Sequence, residues 1–377
     1  MRKGRELLTF RKQLLDWFRQ FQRDLPWRHT KDPYRIWISE IMLQQTRVAA
    51  VIPYYERFLE RFPDVRTLAA SPEEEVLRWW SGLGYYSRAR NLQKAAQQIV
   101  AQHGGKFPEK LEDVLALPGI GRYTAAAILS MAFREKHAVL DGNVARVLAR
   151  LGAIRGDVRA PQRWDELQTR ASEYLDSKSP GEWNQAMMEL GAILCTPKSP
   201  QCLLCPVNAF CEGRRLGIAE SLPEKRKKRA TLKVTLASAV FADKNGWTLL
   251  LPPPQGQIDS PLEEYIPLLA SNLWHFPTVS VDGDSAAKLR AHLRKLAPHA
   301  GNGSLRLTRA ADVRHTVTYR AITVAPFRIN VSKLPHIPGA ERVPLHDVTA
   351  LPVSNLTCKV ARSAFAAANR GLKSRGE

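Results

Sequence analysis

Long hydrophobic runs, acidic residues and cysteines are all scarce in this 377-residue sequence, and each scarcity excludes a class of protein. The longest apolar stretch without a charge, residues 123–133, is about half of the roughly 20 residues that cross a bilayer, so we expect no membrane partner. Charges interrupt the N-terminal segment, which disfavours a secretory signal. We therefore expect a cytoplasmic protein, in which five cysteines point away from disulfides.

Acidic residues are outnumbered, with 36 Asp and Glu against 56 Lys and Arg, which gives a formal net charge of +20. Such a surplus favours association with a polyanion. Hydrophobic residues make up 44% of the sequence, enough to form buried cores and to exclude a mainly disordered chain. At this length we expect two domains.

Residues 1–215 have a helical pattern, so we predict an all-α first domain. Apolar residues at steps of three and four, from Leu7 through Phe10, Leu14 and Phe18 to Phe21, predict a first helix with one face in the core. Similar periods recur between short turns that contain Gly or Pro, at 39–49, 72–80, 87–102, 111–116, 122–133, 143–152 and 164–176.

The period changes from about 3.6 to 2 after a basic segment, which predicts a domain boundary. We assign 216–230 to a linker and 231–377 to an α+β second domain. The basic run Lys225–Arg229 either follows phosphates or is a solvated part of that linker, and we predict the linker. Strand-like runs occupy 232–241, 247–251 and 315–331, and helical patterns occupy 286–296 and 355–369.

Four of the five cysteines, Cys195, Cys202, Cys205 and Cys211, fall within 17 residues. Four thiolates in one compact loop suit a tetrahedral zinc ion or a cubane iron–sulfur cluster. Unliganded cysteines rarely gather in this way, so we predict a metal site, and the spacing alone leaves zinc and iron open. Cys358 stands apart and is most simply a small buried residue.

The segment Leu117–Gly121 reads LPGIG and separates two apolar helical runs. Its glycines, Gly119 and Gly121, permit close backbone approach, and free amides at the start of the second helix can hold a phosphate. On its own the pattern is equally a plain joint between two helices.

Together with the cysteine loop, these features resemble the helix–hairpin–helix DNA glycosylases that carry a [4Fe–4S] cluster, and within them the MutY-type adenine DNA glycosylases. The similarity covers residues 8–211 and implies iron and sulfur in the cysteine loop. The segments that carry it are 25–28 (LPWR), 39–46 (SEIMLQQT), 82–86 (GLGYY), 117–125, 140–144 (LDGNV), 184–189 (NQAMME) and the four cysteines.

Hydrolysis of an N-glycosidic bond needs an acid for the departing base and a carboxylate for the oxocarbenium-like sugar. Glu40 lies among apolar neighbours that disfavour its charge, which makes it the candidate acid. Asp141 begins a helix-like segment, where free amides and the helix dipole favour an ionised carboxylate. The simpler readings are a solvated helix carboxylate for Glu40 and an ordinary N-cap for Asp141.

The resemblance implies specific roles for these residues. Glu40 protonates adenine N7 and later activates water, while Asp141, with Tyr123 and Asn143, stabilises the cationic sugar. Endonuclease III-like relatives have a Schiff-base lysine where this chain has Tyr123, and a tyrosine offers no amine for lyase chemistry. We therefore expect a monofunctional glycosylase.

Reaching a base requires its extrusion from the duplex. By resemblance, Gln45 and Tyr85 wedge into DNA beside the target pair, although Tyr85 and Trp27 are equally plausible as core aromatics. Further DNA contacts are expected from Gly119, Gly121, Arg122 and Arg88. The adenine pocket is expected to contain Trp27, Arg28, Leu43 and Gln185.

The second domain resembles the Nudix-like domain of the same family, which recognises 8-oxoguanine opposite adenine. Residues 286–296 contain no carboxylate for a hydrolytic metal site, so we expect recognition without hydrolysis. Thr318 takes the place of the family's lesion-reading serine; the alternative is a solvated strand residue.

The sequence thus predicts an adenine DNA glycosylase of base-excision repair that acts as a monomer on double-stranded DNA with adenine opposite 8-oxoguanine or guanine. The competing hypotheses are a non-catalytic DNA-binding protein, an electron carrier and a bifunctional pyrimidine-lesion glycosylase.

Overall fold

A computed structural model describes residues 4–224, 230–253, 273–297, 305–317 and 319–373. Their contacts divide the chain into two compact units. The first consists of the described residues within Met1–Ser71 and Asn91–Lys227, and the second of those within Pro72–Arg90 and Lys228–Glu377. The predicted domain bounds at 215 and 231 stay a prediction. The division by contacts differs from them because it groups Pro72–Arg90 with the C-terminal part.

The described part of the chain up to residue 224 is helical, as the sequence predicts. No helix within the described ranges is long and apolar enough to cross a bilayer. In chain order the α-helices are α1 (Arg5–Phe21), α2 (Pro33–Leu43), α3 (Val48–Arg61), α4 (Val65–Ala70), α5 (Glu73–Trp80), α6 (Ser87–His103), α7 (Leu111–Leu115), α8 (Arg122–Phe133), α9 (Gly142–Leu151), α10 (Pro161–Tyr174), α11 (Pro180–Glu189) and α12 (Glu212–Arg215).

Helix α1 packs through the predicted stripe, because Phe10, Leu14 and Phe18 are buried. The Phe10 ring meets the ring of Trp183 at 5.7 Å between centroids, which joins α1 to α11. The prediction is wrong for Phe21, whose side chain is 56% exposed at the end of the helix.

The apolar period at 39–49 does not form one helix. Helix α2 ends at Leu43 and α3 begins at Val48, with Gln45 between them at φ 58°. A left-handed residue cannot continue a right-handed helix, so the chain turns there. Most of α2 is buried, including Trp37 and Glu40.

The second unit contains a five-stranded sheet. Strand β1 (Leu232–Ala242) pairs in parallel with β6 (Arg320–Asn330) and antiparallel with β3 (Thr278–Ser280). Strands β4 (Thr308–Arg309) and β5 (Val313–Val317) both pair antiparallel with β6. Strand β2 (Trp247–Leu250) forms a separate antiparallel pair with β7 (Glu341–Pro344).

A helix covers each face of the sheet. Successive residues of β1 enter different cores: Leu236 packs with Leu356 and Val360 of α14 (Asn355–Lys373), whereas Ala237 packs with Leu289 of α13 (Ser285–Leu296). Because both faces are covered, β1 is buried along most of its length. The second unit thus combines helices and strands as predicted, although the single strand expected at 315–331 is two antiparallel strands, β5 and β6.

Candidate active site

A pocket of about 500 Å³ opens in the first unit and gathers all of the predicted catalytic and adenine-binding residues. It is lined by residues of α2, α8, α9 and α11 and of the segments around them. The predicted residues on its wall are Glu40, Asp141, Tyr123, Asn143, Trp27, Arg28, Leu43, Gln185 and Gln45.

Glu40 lies on the buried face of α2, and its side chain is only 5% exposed. Burial raises the pKa of its carboxyl to about 7, opposed by a hydrogen bond from Tyr123, and the charge of Asp141 raises that pKa further. Among the described residues, none forms a hydrogen bond with Glu40 Oε2. Glu40 can therefore hold a proton near neutral pH and present it in the pocket.

Asp141 is the N-cap of α9, as predicted. Its Oδ1 accepts hydrogen bonds from the backbone N–H groups of Asn143 (2.9 Å) and Val144 (2.7 Å), and its Oδ2 accepts one from Asn143 Nδ2 (3.1 Å). Burial nevertheless raises the pKa of Asp141, against the lowering by these bonds and by Arg146. The direction is opposite to the one expected from the N-cap position alone, because the sequence does not reveal how far the folded protein shields this partly buried carboxyl from water.

Two further predicted catalytic residues, Tyr123 and Asn143, line the same pocket. Burial raises the pKa of Tyr123 well above its ordinary value, so this residue keeps its hydroxyl proton, and its hydroxyl lies 3.2 Å from Met188 Sδ. The side chain of Asn143 is held by Arg146, whose Nη2 donates to Asn143 Oδ1 at 2.9 Å and whose Nε donates to the carbonyl of Cys195 at 2.8 Å. The end of the cysteine loop is thus tied to the residue that contacts Asp141.

Glu189 also lines the pocket, and the sequence predicts no role for it. Glu189 is 1% exposed and accepts hydrogen bonds from both Arg23 and Arg28, with the shortest contacts at 2.6 and 2.8 Å. These two arginines lower the pKa of Glu189 to about 2, although burial opposes the change. Glu189 therefore fixes Arg28 on the pocket wall. The available signal was a carboxylate that directly follows the apolar residues 186–188.

Two other predicted pocket residues are held by packing or by a hydrogen bond. The Trp27 ring meets the Tyr55 ring edge to face at 5.3 Å between centroids, so this residue packs in the fold and also lines the pocket. Gln185 Nε2 donates to the carbonyl of Gly181 at 3.3 Å, one turn earlier in α11.

The segment between α7 and α8 is the predicted hairpin, and its two glycines differ. Gly119 has φ 79°, and a Cβ there would lie 2.8 Å from Asn91 Cβ. Gly121 is the N-cap of α8, has φ −99°, and nothing lies within 4 Å of a Cβ built there. Arg122 is exposed at the first turn of α8. The fold therefore requires glycine at Gly119, whereas Gly121 leaves open space beside free helix amides.

Tyr85 and Arg88 belong to the second unit and do not line this pocket. Tyr85 is 43% exposed, whereas Arg88 is buried and donates to the carbonyl of Gly84 at 3.0 Å. The predicted phosphate contact of Arg88 stays a prediction. Thr318 lies outside the described residues.

The four clustered cysteines line one small cavity next to Arg150. Arg150 is 1% exposed, and its Nη1 donates to Cys195 Sγ at 3.3 Å and to the carbonyl of Thr196 at 2.7 Å. Burial raises the pKa of the Cys205 thiol to about 12, and the charges of Cys195, Cys211 and Cys202 contribute to the rise. If the cysteines are ionised, their thiolates need a positively charged partner in this cavity. The buried guanidinium of Arg150 likewise needs a negatively charged partner.

Within the described ranges, no three His, Cys, Asp or Glu side chains are placed to share a single metal ion. A cubane cluster has a different requirement, because each thiolate binds a different iron and the ligands need not converge on one point. Four cysteines around one cavity fit such a cluster, which supplies a charged anchor for the loop.

The fold and the site together define a class of protein. Residues 38–172 match the model of the HhH-GPD superfamily base excision DNA repair protein, and residues 195–211 match the iron–sulfur binding domain of endonuclease III. A solved thermostable thymine-DNA glycosylase aligns with a TM-score of 0.52 and 29% identity over 56% of this chain and 97% of its own. The chain is a helix–hairpin–helix DNA glycosylase with a [4Fe–4S] loop.

Curated relatives narrow the class. The adenine DNA glycosylase of Mus musculus is 34% identical over 95% of this chain and 78% of its own length. That of Homo sapiens is 46% identical over 56% of this chain and 40% of its own length. The chain therefore belongs to the adenine DNA glycosylase family.

Proposed function

We propose that this protein hydrolyses the N-glycosidic bond of adenine opposite 8-oxoguanine or guanine in duplex DNA. One observation carries the proposal: a buried carboxyl with a raised pKa, Glu40, and a carboxylate that accepts three hydrogen bonds, Asp141, line the same pocket. Acid-assisted departure of a base requires such a pair in two different environments.

The proposed reaction begins with proton transfer from Glu40 to N7 of the extruded adenine. The bond between C1′ and N9 then breaks, adenine leaves with the proton, and positive charge develops on the sugar. Asp141 stabilises this charge, with Asn143 and Tyr123 beside it. Glu40, now ionised, takes a proton from water, whose oxygen bonds to C1′ and leaves an abasic site.

The proposed reaction stops at the abasic site. A lyase step requires an amine that attacks C1′ and forms a Schiff base. At the second position of α8 this chain has Tyr123, and the wall of the pocket contains no lysine among the described residues. We therefore propose a monofunctional glycosylase.

DNA binding is proposed to involve both units. Gln45 lines the pocket at a left-handed turn, and Tyr85 is a half-exposed aromatic, so both side chains are available to a duplex. Gly121 and Arg122 offer an open helix terminus and an exposed cation to a phosphate. The adenine pocket is proposed to use Trp27, Arg28, Leu43 and Gln185.

We assign residues 1–215 to catalysis and 231–377 to recognition of the opposite base by a Nudix-like fold without hydrolysis. Helix α13 contains no acidic residue, which supports the second assignment. We further propose that the protein acts as a monomer in the reducing cytoplasm.

The test is single-turnover base release from duplexes with adenine opposite 8-oxoguanine, guanine or thymine, processed with and without alkali. We expect strand breaks only after alkali and only for the first two pairs. The Glu40→Gln variant is the control and should bind the same duplexes but release adenine about 100-fold or more slowly. No adenine release from wild-type protein with an intact cluster would contradict the proposal and favour a DNA-binding role.

The same samples distinguish the bifunctional alternative. Borohydride traps a Schiff base as a covalent protein–DNA adduct, so the wild-type protein should yield none. A trapped adduct, or strand breaks without alkali, would show lyase activity.

A further inference from the structure

The loop that presents Tyr85 has an unusual backbone, in which Tyr85 itself is strained. Gly82, Gly84 and Tyr85 have positive φ values of 100°, 73° and 50°. The left-handed region is uncommon for a tyrosine, and the surrounding structure must hold such a residue in place. The Tyr85 side chain is 43% exposed, so packing of its own ring does not suffice.

Contacts within the 72–90 segment hold one part of this loop. Trp80 Nε1 and Arg88 Nη2 both donate to the carbonyl of Gly84, at 3.2 and 3.0 Å. The Arg88 guanidinium also lies over the Tyr85 ring, 5.6 Å from its centroid. These contacts fix Gly84 but leave Gly82 to be held from elsewhere.

The C-terminal part of the same unit holds Gly82. Asn355 Nδ2 donates to the carbonyl of Gly82 at 3.2 Å. The Tyr86 hydroxyl accepts from the N–H of Gly82 at 3.4 Å and donates to the carbonyl of Val353. The carbonyl of Gly82 is thus held by Asn355, more than 260 residues later in the chain. The N–H of Gly82 is held by Tyr86, which in turn binds Val353.

This distant segment is itself fixed. Val353 is fully buried in the core under α14. The hydroxyl of Ser354 accepts from the backbone N–H of Thr357 at 3.0 Å, at the first turn of α14. Residues 353–355 therefore connect the core of the C-terminal part to the loop.

We propose that Tyr86 and Asn355 are positioning residues that keep the 82–85 loop in the conformation that presents Tyr85 to DNA. The inference rests on the proposed function, in which Tyr85 enters the duplex beside the target pair. If so, the C-terminal part of the chain, which is proposed to recognise the opposite base, also sets the position of Tyr85 in the duplex. The two residues act through Tyr85 and do not themselves contact DNA.

The test uses the full-length protein with its cluster. The variants are Tyr86→Phe and Asn355→Ala, each made alone and combined with Tyr85→Ala. The matched control is Ser363→Ala, because Ser363 also lies on α14 and its hydroxyl donates to a backbone carbonyl of the same unit, that of Ala311. Visible absorbance of the cluster and thermal unfolding report whether each variant folds.

Binding is measured on a duplex with the uncleavable 2′-fluoro analogue of deoxyadenosine opposite 8-oxoguanine, and a neighbouring 2-aminopurine reports unstacking by fluorescence. We expect Tyr86→Phe and Asn355→Ala each to weaken binding about 5-fold and to reduce the fluorescence rise, since each removes a hydrogen bond that holds Gly82. In the Tyr85→Ala background the same changes should have no further effect on binding. This non-additivity is expected because Tyr86 and Asn355 act on binding through Tyr85. Ser363→Ala should match the wild type.

Equal losses with and without Tyr85 would overturn the inference, because the contacts would then support folding alone. Unchanged binding in both single variants would also overturn it. If Tyr86→Phe does not fold, the exposed Asn355→Ala decides. A failure of the proposed function is distinguishable, since it would appear as absent adenine release from wild-type protein.

Discussion

At the scale of single residues, the hydrogen bonds of the two carboxyl groups decide which one holds a proton. Asp141 accepts three hydrogen bonds, whereas no described residue forms a hydrogen bond with Glu40 Oε2. Hydrogen bonds to a carboxylate favour its charged form and burial favours the neutral form, and for Glu40 burial outweighs the opposing hydrogen bond from Tyr123. The proton therefore resides on Glu40, which suits it as the acid.

This arrangement predicts the pH dependence of adenine release. The pKa of Glu40 is raised from 4.5 to about 7, so the protonated fraction is nearly complete below about pH 6 and falls as the pH rises through 7. Single-turnover release should be constant on the acid side and fall about tenfold per pH unit above about pH 8. Glu40→Gln should have a flat profile at a rate about 100-fold or more lower. A wild-type rate that does not change from about pH 6 to about pH 9 would remove Glu40 from the acid role.

Glu189 gives a prediction about stability. Its pKa is lowered from 4.5 to about 2 and its side chain is 1% exposed, so the shift corresponds to about 3 kcal/mol of unfolding free energy at neutral pH. Because the folded-state pKa is lowered, this stabilisation is present above pH 4.5 and is lost as the pH falls towards 2. Glu189→Gln should therefore unfold about 3 kcal/mol more easily at pH 7, and the difference should shrink in acid.

The control for Glu189 lies on the same helix. Glu182 forms a two-point ion pair with Arg19, but both side chains are substantially exposed. Glu182→Gln should change the unfolding free energy by less than about 1 kcal/mol. Denaturant unfolding of both variants makes the comparison, and equal losses would show that burial is not the cause.

The sequence predicts some of these residues better than others. Glu40 could be predicted because its apolar neighbours are adjacent in the chain. The partnership of Arg28 with Glu189 could not, since 161 residues separate them and only the fold brings them together. The raised pKa of Asp141 was missed for the same reason, because its desolvation arises only in the folded protein.

At the scale of elements, the two glycines of the hairpin separate folding from binding. Gly119→Ala places a Cβ 2.8 Å from Asn91 Cβ at φ 79°, and we expect a loss of about 1–3 kcal/mol in unfolding free energy. Gly121→Ala meets nothing within 4 Å at an ordinary φ, so its stability should be close to that of the wild type. If the α8 terminus approaches a phosphate, Gly121→Ala should instead weaken DNA binding. Stable Gly119→Ala protein would contradict the strain argument.

Apolar periodicity predicts most of the helices, because their buried residues recur at steps of three and four along the sequence. Periodicity failed at 39–49, where the apolar pattern continues through the left-handed Gln45 and only the turn separates α2 from α3. It failed again at 315–331, where β5 ends at Val317 and β6 begins at Arg320 although the strand-like pattern continues from one strand into the next. Periodicity indicates which face is buried and does not locate a turn whose residues are themselves compatible with the pattern.

At the scale of the whole molecule, the contacts divide the chain into units differently from the domains that the sequence pattern predicts. The linker predicted at 216–230 follows from a change of period, whereas Pro72–Arg90 joins the C-terminal unit through contacts such as that of Asn355 with Gly82. A sequence pattern cannot reveal such a grouping, because helix α5 has the same period as helices of the first unit. Loss of the C-terminal part would therefore remove support from a loop that lies far from it in the sequence.

The net charge of +20 predicts binding to DNA that weakens steeply with salt, and the slope shows which cations contact phosphates. Each phosphate contact contributes about 0.9 to the slope of log K against log salt concentration. Arg122→Ala should lower the slope by about 1, because Arg122 is exposed at the open terminus of α8. Replacing the five basic residues of Lys225–Arg229 with serine should leave the slope almost unchanged, as expected for a solvated linker. A fall of about 4 in that slope would instead make the run a phosphate-binding segment, and the affinity would then depend on charge that lies outside both predicted domains.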